Sequence, residues 1–400
     1  MSINEVLLKN VRPMGKDTTN VFIQDGRIKE IGAIVLPSPS AKIIDCGSQL
    51  MIPGLVEAHT HLDKNLLGMG WRSHQAGPSL KEKIETERRL RREWNIEPHR
   101  QSMRQALLSL ASGSTAIRSH VDIDTDCGLA GFLGISETRE ALCDLIDIQI
   151  VAFPQSGLLS RPGTFDLMES ALKEGADVVG GLDPCSMDRD PKGHLDAIFG
   201  LAEKYGKPID IHLHELAELG AFSMELIIER TLSHAMQGKV TISHAFCLGM
   251  ADRDRARQLV CALADAKINI ATVATPYRPV PLIDDLKEVG VTLCAGSDGI
   301  QDTWGPYGNG DMLERAMLLA LRNNHRNDEE IEHALWCCTF GGANVLDIPN
   351  YGLSIGSIAD LVIIDADNLA HAVVSHPSRG MVLKAGKIVA RDGKTLREAP

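Results

Sequence analysis

Apolar and polar positions alternate near both ends of the chain. Residues 21–35, VFIQDGRIKEIGAIV, mix apolar and polar positions in the manner of strands, and Asp25-Gly26 supplies the dipeptide of a tight hairpin turn. Toward the other end, ADLVIIDAD and MVLKAGKIVARDG keep the same period, with a second turn at Ala385-Gly386. Alternation of period two predicts strands with one buried face. Two such segments at opposite ends predict a small β-sandwich domain assembled from residues 1–53 and 350–400.

The stretch 54–349 has a different texture. Short apolar runs end in polar residues: MIPGLVEAHTH, STAIRSHVD, DIQIVAFPQ, DVVGGLDP, PIDIHLHE, VTISHAF, INIATVA and VTLCAGSD. Longer stretches of helical period separate them, among them TFDLMESALKEGA, LDAIFGLAEKYG and DRARQLVCALADA. Apolar strands alternating with amphipathic helices predict a parallel sheet covered by helices. Eight such units predict an α/β fold, a (β/α)8 TIM barrel.

Active sites of such barrels lie at the C-terminal ends of the strands. There the chain concentrates metal-ligand types. His59 and His61 close the first run, two residues apart and so on one side of a strand. His212 or His214 is available on the fifth, His244 ends the sixth and Asp298 ends the eighth. Neutral imidazoles with one carboxylate suit Zn²⁺, Fe²⁺ or Mn²⁺ and leave a position open for water, whose pKa such an ion lowers toward neutrality. A carboxyl group must then move protons to the departing group, and Glu215, directly after the fifth run, is positioned for it. His120 and Asp122 end the second run as supporting residues. The charged run KEKIETERRLRREW at 81–94 predicts a solvated helix.

Composition narrows the partners. Of 400 residues, 44% are hydrophobic, enough for a large core, while 41 Lys and Arg against 53 Asp and Glu give a formal charge of −12. Such a surface repels phosphate backbones and anionic membranes, so no nucleic-acid partner is expected. No apolar run reaches the roughly 18 residues that span a bilayer, and MSINEVLLKN has neither a charged n-region nor a long apolar h-region, so no export signal is expected. Nine cysteines without a C-x-x-C pair suit reduced thiols, so the expected location is cytoplasmic.

At these residues the sequence resembles the cytosine deaminase family of the amidohydrolase superfamily. PGLVEAHTHLDK, HVDID, DLIDIQIVAFPQSG, HLHE, SHAF and GSDGIQDTWGPYGNGDML match in order, over nearly the whole chain. The resemblance implies that His59, His61, His212 and Asp298 hold one divalent metal, iron or zinc. It implies that Glu215 protonates the ring nitrogen and the leaving ammonia, that His244 orients the attacking hydroxide, and that Asp298 takes a proton from water. Gln155 would bind the amide-like edge of a small pyrimidine-like substrate. Relatives of this kind imply a homo-oligomer. No lysine ends the fourth run, DVVGGLDP, which argues against a binuclear site bridged by a modified lysine.

One position departs from that family. Where cytosine deaminases carry a second aspartate after the metal aspartate, this chain has Gly299. The missing carboxylate is expected to leave room for a methyl group, making 5-methylcytosine a substrate beside cytosine. Trp304, in the loop that follows, is expected to cap the bound ring. The same blocks also resemble N-isopropylammelide amidohydrolases, which remove an alkylamine from a triazine; HVDID, VVGGLDP and WGPYGNGDM lean that way, FPQ and HLHE toward pyrimidines. The sequence favours pyrimidine deamination.

Overall fold

The computed structural model describes residues 5–398. Its larger part is a parallel barrel of eight strands, each paired with its sequence neighbours. They are Leu55–Thr60, Ser114–Asp122, Asp147–Phe153, Val178–Leu182, Ile209–His212, Val240–Ser243, Asn269–Thr272 and Leu293–Ala295. All eight fall within the apolar runs. The ring closes where Asp298 bridges to Thr60 and its backbone N–H donates to the His59 carbonyl at 2.9 Å. Gly296 permits this approach, because a Cβ there would lie 2.6 Å from the His59 backbone nitrogen.

Local signals set the helices that cover the barrel. In Pro191–Tyr205, the Asp190 side chain accepts from the Gly193 N–H, Pro191 opens the first turn, and Gly206 stops the helix at φ 64°. The inward face of this helix carries Leu195, Ile198, Phe199 and Ala202 into the main core. Every residue of the second strand, Ser114–Asp122, is buried, as covering from outside and filling from inside require.

The two ends of the described chain form a separate eight-stranded mixed sheet, the small sandwich. Strands Glu5–Pro13, Thr19–Gln24, Arg27–Gly32 and Lys42–Pro53 make one half. Leu361–Ile364, Arg379–Lys384, Lys387–Arg391 and Lys394–Thr395 make the other. A single antiparallel ladder, Leu50–Pro53 against Leu361–Ile364, joins the halves. Leu8, Val21, Ile23, Ile28, Met51, Leu361 and Leu383 belong to its own core. Both expected turns are present, with Asp25, Gly26, Ala385 and Gly386 all at positive φ. Gly54 alone separates this sheet from the barrel; its N–H donates to the Asp360 carbonyl, and its carbonyl accepts from the Tyr351 hydroxyl. Among the described residues no helix is long and apolar enough to cross a membrane.

Candidate metal centre and active site

Inside the barrel, polar side chains stack in layers. Residues two apart on a strand share a face, which brings Arg118 with His120 and Asp210 with His212. In the lower layer the buried Arg118 guanidinium donates to Asp210 at 2.9 Å, to Gln149 at 2.7 Å and to the Val345 carbonyl at 2.8 Å. Asp210 also accepts from the Ser243 hydroxyl at 2.6 Å, and that oxygen lies 2.9 Å from His59 Nδ1. With its only proton committed to Asp210, Ser243 must accept from Nδ1–H. His59 is thereby fixed in the tautomer whose Nε2 carries a free lone pair.

Above this layer five imidazoles crowd together. The His59 ring centroid is 4.1 Å from that of His120, 4.6 Å from His212 and 4.9 Å from His244, while His61 lies 5.6 Å from His212. Donor atoms of His59, His61 and His212 lie within 4.8 Å of one another, as do those of His59, His244 and Asp298. Asp298 Oδ1 is 3.2 Å from His61 Nε2. Among the described residues, His59 Nε2 and both ring nitrogens of His120, His212 and His244 are buried without a hydrogen-bond partner. Each such group costs about 1–3 kcal/mol, so the set fits a cation that accepts one lone pair from each ring that binds it. Burial, the largest influence, holds His120, His212 and His244 far below the ordinary histidine pKa and His61 at about 4. These four imidazoles are therefore neutral, the form that binds metal. His244 and Asp298 also hold left-handed backbones, φ 68° and 61°, at a cost of order 1–3 kcal/mol each.

Glu215 is buried beyond the fifth strand. One carboxylate oxygen accepts from the Ser186 N–H at 2.6 Å and the other from the Ser223 hydroxyl. His214 lies outside the strand, with Nδ1 2.8 Å from Asp183 Oδ2 and its ring 4.3 Å from that of His244. Burial works to lower the His214 pKa, but the Asp183 carboxylate outweighs it and raises it. His120, expected only as support, packs directly within the imidazole cluster. Asp122 turns away from that cluster to Lys64 and Arg91.

Lys64 is the residue the sequence reading passed over. Its buried ammonium lies 3.0 Å from Asp122, 3.2 Å from Glu87 and 3.3 Å from the Gln155 side-chain oxygen, and 5.4 Å from the centre of the Trp304 ring. Burial opposes its charge, yet the carboxylates of Asp122, Glu87 and Asp63 outweigh it and keep Lys64 protonated. Lys64 thus ties Gln155 and Trp304, both expected to meet substrate, to one fixed charge. Only its place three residues after His61 could have drawn attention to it, and no period flags such a position.

Glu87 and Arg91 come from helix Leu80–Glu93, the charged run 81–94. It is a helix, but not a solvated one throughout: Ile84, Glu87 and Leu90 are buried. Arg91 reaches Asp122 at 2.7 Å and Glu87 at 2.9 Å, so this face is a charged seam over the barrel mouth. Burial foremost pushes Glu87 up to about 8; Asp122 adds to this, and Lys64 and Arg91 oppose it. An acid whose pKa rises on folding stabilises fully only below its unfolded value, and that contribution is lost as pH climbs through the folded value. Stability is therefore expected to decline from about pH 5 to about pH 9, and Glu87→Gln to flatten the decline. Denaturant melts across that range check it; parallel curves for the two proteins would mean that Glu87 is ionised throughout.

Beside Gly299 there is no vacancy. A Cβ built on Gly299 would overlap the Asp302 carboxylate, with Cγ at 2.9 Å and Oδ2 closer still. Asp302 is buried, and its Oδ1 accepts from the Trp304 N–H at 2.7 Å and the Gly305 N–H at 2.9 Å. The room expected for a methyl group is thus filled by an acid four residues beyond Asp298. Loop closure brought it there, which one-dimensional spacing does not reveal.

An eight-stranded barrel carrying a buried histidine–aspartate metal site at its strand ends, with a composite sheet beside it, defines an amidohydrolase. The chain belongs to the amidohydrolase family, which matches residues 42–390. It is 30% identical over 397 residues to N-isopropylammelide isopropyl amidohydrolase of Pseudomonas sp. (strain ADP), covering 97% of this chain and 98% of that one. The crystal structure of N-isopropylammelide isopropylaminohydrolase from Burkholderia multivorans ATCC 17616 superposes with a TM-score of 0.95 at 45% identity, covering 98% and 100% of the two chains. The 5-methylcytosine deaminase from Klebsiella pneumoniae liganded with 5-fluorocytosine follows at 0.85 and 28% identity, covering 98% and 99%. The protein is a metal-dependent hydrolase of this superfamily, acting on C–N bonds.

Proposed function

We propose that the protein removes an alkylamino group from an oxo-substituted triazine, with N-isopropylammelide as the leading substrate. The observation that carries this choice over a pyrimidine is the filled space at Gly299, which withdraws the argument for a 5-methyl ring. The 45% identity to a structure bearing the triazine activity supports the same side.

His59, His61, His212 and Asp298 are the proposed metal ligands. A divalent ion held there, zinc or iron, would lower the pKa of a water molecule toward neutrality. Asp298 accepts a proton from the attacking water, and His244 holds the oxygen in line. Glu215 delivers one of the water's two protons to the ring nitrogen and, resupplied with the second by way of Asp298, delivers that one to the departing amine. A C–O bond forms, the exocyclic C–N bond breaks, and the ring keeps a carbonyl while isopropylamine leaves. Gln155, its oxygen held by Lys64, binds the ring's amide edge, and Trp304 covers the ring face.

Deamination of cytosine or 5-methylcytosine is the second reading, supported by the similarity to the Klebsiella pneumoniae structure. Amine release from N-isopropylammelide, cytosine and 5-methylcytosine, measured side by side on the metal-loaded protein, separates the two. The triazine is expected to show a kcat/KM at least tenfold above either pyrimidine. A higher value for a cytosine would reverse the assignment.

A further inference from the structure

Gly299 and Asp302 act as a pair. Gly299 follows the aspartate of the metal cluster, and its φ lies outside the left-handed region, so its backbone does not demand glycine. What excludes a side chain there is the Asp302 carboxylate, which occupies the place a Cβ would take. Oδ1 of that carboxylate is occupied by two backbone N–H groups of its own loop. Oδ2 accepts no hydrogen bond among the described residues and lies in the volume that a residue-299 side chain would fill. The surroundings belong to the active site: burial foremost raises the Asp302 pKa, the Lys64 ammonium and the two backbone N–H groups oppose this, and Asp298 adds to it, while Trp304, two residues on, lies under the Lys64 ammonium.

We propose that Asp302 is a specificity-determining residue whose Oδ2 presents a fixed hydrogen-bond acceptor to an N–H on the edge of the substrate ring, in space that Gly299 keeps open for it. An acceptor covered by C–H or methyl when a ring binds forfeits its hydration without recompense. A trioxo or dioxo triazine carries nitrogen at all three alternating ring positions, whereas cytosine and uracil carry carbon at the third. Asp302 thus selects rings with a donor at that edge and disfavours a methyl there. This inference rests on the proposed function, since it assumes that such a ring occupies the site.

The test is binding and turnover on metal-loaded protein with intact chain. Cyanuric acid, the ring left after amine loss, and uracil are titrated by calorimetry against wild type, Asp302→Asn and Gly299→Ala, with kcat/KM for N-isopropylammelide alongside. Asp302→Asn keeps an oxygen for the Trp304 and Gly305 N–H groups but turns a donor toward the ring. It is expected to reduce the preference for cyanuric acid over uracil at least tenfold, mainly through KM and Kd, with a melting temperature near that of wild type. Gly299→Ala is expected to give the same loss by displacing Oδ2. If wild type binds and turns over the triazine while both variants keep its ratio, the role given to Asp302 is overturned and the function stands. If wild type neither binds nor converts any of these rings, the function itself is overturned, and this inference with it.

Discussion

Glu215→Gln should leave metal content and fold intact while lowering kcat about a thousandfold or more. The substitution suits this site unusually well. Glu215 is held by one obligate donor, the Ser186 N–H, and by the Ser223 hydroxyl, which can also accept. A glutamine can keep its oxygen on Ser186 and donate its amide to Ser223, so nothing buried goes unpaired. What it cannot do is carry protons from water, one to a ring nitrogen and one to a leaving amine. General acid–base groups contribute about 10²–10⁴ in rate. Single-turnover kinetics with metal analysis check the expectation. Near-normal turnover would remove Glu215 from the chemistry, whatever its hydrogen bonds.

His61→Ala is expected to lose both metal and activity. His61 offers a neutral imidazole within 4.8 Å of the donor atoms of His59 and His212 and lies 3.2 Å from Asp298. Removing it leaves the ion two imidazoles and one carboxylate from the proposed set. It also removes the imidazole 3.2 Å from the Asp298 carboxylate, on a residue held in a left-handed backbone. Metal content by elemental analysis should fall to a small fraction of that in wild type, with activity below detection and only partly restored by excess metal. A fully loaded His61→Ala protein would mean that another set in the cluster, such as His59, His120 and Asp210, binds the ion instead.

Much of this arrangement is legible in the sequence because it obeys short periods. Alternation gives the terminal strands and both hairpin turns. Apolar runs give the eight barrel strands, and the i, i+2 rule pairs His59 with His61. The same rule could have found Asp210, two residues before His212, and Arg118, two before His120. What escaped are contacts between segments that no period links. Lys64 is significant because Asp122, Glu87 and Gln155 arrive from three other elements. The helix at 81–94 reads as solvated because charge marks its buried face as well as its exposed one; its acids and bases are paired across a seam the sequence cannot display. Gly299 reads as a gap because a missing side chain says nothing about which neighbour moves in. His214 shares alternation with His212, but the strand ends at His212; Asp183 holds the His214 ring beside His244, at the edge of the cluster.

The junction between the two halves of the terminal sheet has a consequence for how the chain is made. Leu50–Pro53 finds its antiparallel partner only when Leu361–Ile364 has been synthesised, some three hundred residues later. Until then a nascent chain on the ribosome carries a four-stranded half-sheet with an open, apolar edge, the kind of edge that recruits other strands. The barrel's first strand begins one residue beyond that edge, so its anchor is also incomplete during most of translation. Vectorial folding of this protein therefore ends where it began, and a chain stopped before residue 361 would display Leu50, Met51 and Ile52 as a template for aggregation rather than as the seam of a finished sheet.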